Sequence, residues 1–106
     1  MKKVYIVIIF ILVGLLFAGC EVDPDAKYKV TYYGNGETSG FEPIDNNEYT
    51  ADMEAVVLGK NSLLKDGYTF QGWNTKADGT GTSYEAGDKI KIINQNIFLY
   101  AKWEQE

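Results

Sequence analysis

From Tyr28 onward the chain alternates apolar and polar residues in short runs broken by glycine and asparagine. Tyr28-Lys29-Val30-Thr31-Tyr32-Tyr33 sets Tyr28, Val30 and Tyr32 on one side of an extended strand. Gly34-Asn35-Gly36 then supplies turn chemistry. Asn96 to Trp103 alternates most clearly, with Ile97, Leu99, Ala101 and Trp103 facing one way and Phe98, Tyr100 and Lys102 the other. Ala55-Val56-Val57-Leu58 is a short apolar run closed by Gly59, Tyr68 to Trp73 is a further strand, and Lys89-Ile90-Lys91-Ile92 a short fifth. Asn61 to Gly67 has the caps for one helical turn and is too short to be a helix by propensity. The stretches 38–47 and 74–88 are long, turn-rich connections, and no internal period of repeat length appears. The pattern predicts one small α+β domain that is mostly β, with four to five strands and at most one short helix.

Within the third strand, Phe70 and Trp73 are three residues apart and would face opposite sides of a regular strand. Gly72 lies between them, and a glycine inside a strand marks a bulge. A bulge turns both rings toward one core, with Trp103 as neighbour. Phe70, Trp73 and Trp103 are therefore expected as core aromatics, since a domain this small is short of buried area.

The first residues read differently. Met1-Lys2-Lys3 is a positive start, followed by an apolar run of 15 residues from Val4 to Ala18. That is the plan of a signal peptide, and it is shorter than the roughly 20 residues of a membrane-spanning helix. Leu16-Phe17-Ala18-Gly19-Cys20 resembles a bacterial lipobox. The resemblance implies cleavage after residue 19 and lipidation of Cys20, the only cysteine, with two or three acyl chains as the membrane anchor. Residues 20–27 then form an acidic tether and residues 28–104 the folded domain.

Composition removes several function classes. The formal charge is −5, and loss of Lys2 and Lys3 with the leader takes it to −7. Such a balance argues against nucleic acid as a partner. No histidine is present, so no imidazole base and no histidine-containing triad or zinc site can be built. No glycine-rich phosphate loop opens a helix. The expected protein is not an enzyme and holds no cofactor. Asn74, Asp78, Gly79 and Glu85 fall at four positions of a calcium loop, but Lys76 occupies another ligand position and no helices flank it. Asp78-Gly79 and Gly81 read better as hairpin-turn residues, so no metal site is expected.

Gly67-Tyr68-Thr69-Phe70-Gln71-Gly72-Trp73-Asn74-Thr75, the run from Ala77 to Tyr84, Gly87-Asp88 and Leu99-Tyr100-Ala101-Lys102-Trp103 together resemble the internalin B-repeat, or Listeria–Bacteroides repeat. The resemblance implies a small β-grasp-like, ubiquitin-like sheet of the kind found in bacterial surface and secreted proteins. It implies no catalytic residue. Family members usually carry tandem copies; this chain holds one, with Lys65-Asp66 where many relatives have a proline. Tyr33, Tyr49, Tyr84 and Tyr100 are candidate surface contacts, because tyrosine offers a rigid contact area with a polar tip. The bland alternative is that they complete cross-strand pairs on an open sheet face. The sequence thus points to an extracytoplasmic, lipid-anchored envelope protein that contacts another protein, with a glycan- or peptidoglycan-binding lipoprotein as the alternative.

Overall fold

The computed structural model describes residues 23–106. The expected leader at 1–19, the lipidation site Cys20 and the start of the tether lie outside the described residues. Six strands form: β1 Val30–Tyr33, β2 Glu54–Val56, β3 Tyr68–Asn74, β4 Ser83–Tyr84, β5 Lys89–Lys91 and β6 Ile97–Gln105. They make a four-stranded sheet in the order β1-β6-β3-β4 and a two-stranded ribbon, β2-β5. The expected mostly β fold holds, with no helix among the described residues.

β6 is the longest strand, at nine residues, and lies between β1 and β3. It runs parallel to β1, with Val30 opposite Ile97 and Tyr32 opposite Leu99. This parallel pair joins the first and last strands, as in a β-grasp sheet. The inward set of Val30, Tyr32, Leu99 and Ala101 is buried, while Thr31, Tyr33, Phe98 and Lys102 on the other face are exposed. β1 stops where Asn35 and Gly36 both take left-handed backbone, at φ 55° and 96°.

β3 runs antiparallel to β6, and its register shifts between Phe70 and Trp73. Phe70 lies opposite Trp103 and Trp73 opposite Ala101, so β3 carries one residue more than its partner over this step. The extra residue is accommodated at Gly72, with φ 109°. A Cβ there would sit 2.8 Å from the Tyr84 carbonyl oxygen. The bulge puts the Phe70 and Trp73 rings on one side, edge to face at 5.2 Å, and Phe70 meets Trp103 at 5.7 Å.

The core lies between the inner face of the large sheet and the ribbon. Ala55, Val57, Ile90 and Ile92 pack from the ribbon side, and Leu63, with no exposed surface, closes the end. Val56, between two buried neighbours, points outward, so the apolar run alternates. Trp73 is fully buried. Its indole N–H donates to the Leu58 carbonyl at 2.8 Å, and the Leu58 N–H donates to the Tyr32 hydroxyl at 2.9 Å. The Tyr32 and Trp73 rings meet edge-on at 4.8 Å.

The capped turn expected over 61–67 does not become helical. Asn61 takes φ 56°, a left-handed conformation that ends a helix at its start. Leu64 exchanges backbone hydrogen bonds with Ser39, which commits it to an isolated antiparallel bridge. The caps are present, but the segment is too short to hold a helix by propensity and a tertiary backbone partner takes it.

Trp73→Ala removes the largest buried side chain and should cost about 3–5 kcal/mol. That is most of the stability of a domain this size, so the expected outcome is loss of the cooperative thermal transition by circular dichroism. A retained sharp transition would refute the central role of the indole.

Burial pushes the Tyr32 phenol above its ordinary value of 10.0, against the lowering effect of the Leu58 hydrogen bond. Burial, then the hydrogen bond from its hydroxyl to Asp45, also pushes Tyr49 up. Both phenols keep protons that the unfolded chain loses above pH 10. Their contribution is therefore whole below pH 10 and is lost as pH rises through the native values. Denaturation midpoints measured from pH 8 to 12 should be level to about 10 and then fall. Tyr49→Phe should make that fall shallower.

Candidate functional site

Two surfaces of the large sheet are candidates. The first is its outer face. Tyr33 and Tyr100 are register partners on β1 and β6, and their rings stack at 5.1 Å and 19°. Phe98 also stacks against Tyr33, at 6.2 Å and 28°. The three rings form a partly exposed aromatic cluster on this face. Tyr33 and Phe98 are exposed and Tyr100 is half-buried. Tyr84 is half-buried on β4, opposite Trp73, in another part of the fold.

Tyr49 is a correction. It was expected outside and is 6% exposed, packed in the core. The cause is its backbone pairing with Tyr28, N–H to carbonyl in both directions at 2.7 and 2.8 Å, which draws the ring inward. Its hydroxyl still finds a partner, donating to Asp45 at 2.7 Å. Of the four tyrosines, the structure therefore brings only Tyr33 and Tyr100 together.

The second surface is the free edge of β1. In a parallel ladder, successive residues point their backbone groups to opposite edges. Lys29 faces β6: its N–H donates to the Asn96 side chain and its carbonyl accepts from Ile97. Tyr28 faces the other way, toward Tyr49. By the same alternation, the backbone groups of Val30 and Tyr32 point away from β6. The Gly34 N–H, next in the series, donates to Glu42 at 3.1 Å. The segment 42–46 runs beside this edge and encloses a groove of about 440 Å³, walled by Val30, Tyr32, Pro43 and Ile44. Ile44 stands 77% exposed on the rim. The groove is pinned at one end by the Tyr28–Tyr49 bridge and at the other by Glu42.

Beside the outer face lies the loop after β3. Its organiser is Asn74, 1% exposed. The Asn74 side-chain amide donates to the carbonyls of Gly79 and Gly81 at 3.3 Å each and to the Ser83 hydroxyl at 3.0 Å. Its oxygen accepts from the N–H groups of Lys76 and Gly81. Asp78 accepts from the Thr80 N–H and hydroxyl, and these hydrogen bonds hold its carboxyl below the usual range. The Asn74 oxygen and one Asp78 carboxylate oxygen that the calcium reading would enlist are thus already engaged inside the loop. Among the described residues no group of three or more histidine, cysteine and acidic side chains gathers to hold a metal.

The match of this chain to known proteins accords with the sheet. Residues 28–102 match the model of the Listeria-Bacteroides repeat domain. The chain belongs to that family. Two proteins of Evansella cellulosilytica are similar to it. One, named "Putative Gly-rich membrane protein", is 42% identical over 78 residues, covering 74% of this chain and 9% of that protein. The other, named "Putative membrane protein", is 41% identical over 77 residues, covering 73% of this chain and 11% of its own. This Listeria-Bacteroides repeat chain therefore spans about a tenth of the length of either relative. No solved structure matches it.

Within the repeat domain, sequence reasoning took 74–88 as turn and passed over both β4 and the role of Asn74. The available signal was an asparagine followed by three glycines, since a buried side-chain amide can close a loop rich in backbone groups. Asn74→Ala removes five hydrogen bonds and strands buried carbonyls, at a cost of about 2–4 kcal/mol. The amides of residues 75–82 should lose exchange protection well ahead of β6. Equal protection in mutant and parent would mean that the loop holds without its central amide.

Proposed function

We propose that the chain is an envelope-associated, non-catalytic module, lipid-anchored through Cys20, that receives an extended segment of another protein along β1. The observation that carries the reading is the β1 edge. Its outward backbone groups lie in a groove between the strand and segment 42–46, and a peptide in that groove adds a strand to the sheet. Pro43 lacks an N–H and Glu42 is drawn to Gly34, so the neighbouring segment covers the edge without completing a ladder over Val30 and Tyr32. The membrane-protein names of the two relatives support placement at the envelope. The absence of histidine supports a non-catalytic role.

The glycan-binding alternative has weaker support. A sugar packs on an open aromatic face, and here the Tyr33 ring already stacks with both Tyr100 and Phe98. The test places a photo-reactive residue at Ile44 in intact cells, with the same residue at exposed Ile93 as control. Discrete protein adducts from position 44 and none from 93 are expected. Adducts from both or neither would refute edge recognition. Saturable Trp fluorescence changes with cell-wall glycans would favour the alternative. Cys20→Ala should release the domain into the soluble fraction, and unchanged membrane association would refute the lipid anchor.

A further inference from the structure

A different part of the surface carries a second inference, independent of the β1 edge. Between the loop after β3, the turn after β1 and the end of β6 lies a polar cleft of about 390 Å³. Lys65, Lys76 and Lys102 line it, with Asn35, Asp78 and Trp103. Residues 23–106 contain eight lysines in a strongly acidic chain, and three of them meet here. The one ion pair among the described residues is Lys91–Asp52, on the ribbon. None of the three cleft lysines makes a close ion pair, although Asp78 feels the charge of Lys76.

The walls are braced. The Asn35 side-chain amide donates to the carbonyls of Ala77 and Ala101, both at 2.9 Å, and so ties the loop to β6. Asn74 holds the loop from within, and the Trp103 indole N–H donates to the Gly34 carbonyl at 2.8 Å. The Lys65 ammonium lies 4.2 Å over the Tyr68 ring, which limits its wandering. Asp78, the sole acid in the lining, spends a carboxylate oxygen on Thr80. Carboxylates elsewhere are damped beyond a screening length of about 8 Å.

We propose that this cleft binds a phosphate-bearing ligand, its oxygens held by Lys65, Lys76 and Lys102 beside the Trp103 ring. Three compact ammonium donors on different strands and turns suit an anion with several oxygens and more than one direction of approach. A flat carboxylate is better matched by the guanidinium fork, and this chain has no arginine. One exposed lysine holds an anion weakly, whereas three lining one braced cleft can act together. A lipid headgroup and a soluble phosphodiester polymer both present this chemistry, and the test separates them.

The test uses the full chain in neutral maltoside micelles. Inorganic pyrophosphate, poly(glycerol phosphate) and micelles doped with phosphatidylglycerol are titrated separately, with amide NMR and Trp fluorescence as readouts. Saturable shifts at Asn35, 76–79 and 101–103 are expected, weakened by salt. Lys76→Ala and Lys102→Ala are exposed changes that leave the fold intact, and each should lower affinity about tenfold. Lys89→Ala on the ribbon should leave it unchanged. A response to doped micelles identifies the lipid source, and a response to the polymer alone the soluble one. Silence with all three probes to about 10 mM, or equal binding by the double lysine variant, would overturn the site.

Discussion

The fold depends on the backbone of a single residue, Leu58, whose carbonyl and N–H are held by Trp73 and Tyr32. A buried indole contributes about 4–6 kcal/mol by area alone, but only if its N–H keeps a hydrogen-bond partner. The Leu58 carbonyl is that partner, and the adjoining N–H is satisfied by the Tyr32 hydroxyl. The connection leaving the ribbon is thereby fastened to the large sheet from both sides of one residue. Among the described residues there is no disulfide and no helix to do this work. The bulge at Gly72 is its precondition, since without the extra residue Trp73 would turn toward solvent.

Side-chain amides do for the loops what this contact does for the core. Asn35 serves backbone groups far away in sequence and Asn74 several within its own loop, and both sit where strands give way to glycine-rich turns. An asparagine is short enough to be rigid and carries donors and an acceptor together. The same bracing leaves the neighbouring lysines free of structural duty, because neither amide calls on their charge.

The strands were legible because period-two alternation and β-branched or aromatic residues coincide in β1 and β6. The bulge was legible too: Phe70 and Trp73 could share a side only through Gly72. Less could be read where a residue answers to a distant partner. The segment around Leu64 had the caps for one helical turn, but Ser39 claims its backbone, and Tyr49 was a surface candidate that Tyr28 draws in. β4 is only two residues long and leaves almost no pattern. The family was recognisable from the paired Gly67–Trp73 and Leu99–Trp103 motifs. The β1 groove and the lysine cleft were hidden, because the first needs the path of an irregular segment about ten residues on and the second assembles from segments dozens of residues apart.

The parallel pairing of β1 with β6 has a mechanical consequence. Tension applied between the chain before Tyr28 and the chain beyond Gln105 would slide the two strands along each other. Hydrogen bonds loaded in shear share the force and break together, unlike those of a hairpin opened from its end. Lys29, Ile97 and Asn96 lock the start of this pair. The arrangement suits a domain that must stay folded under drag, with the weaker ribbon β2-β5 kept off the line of force.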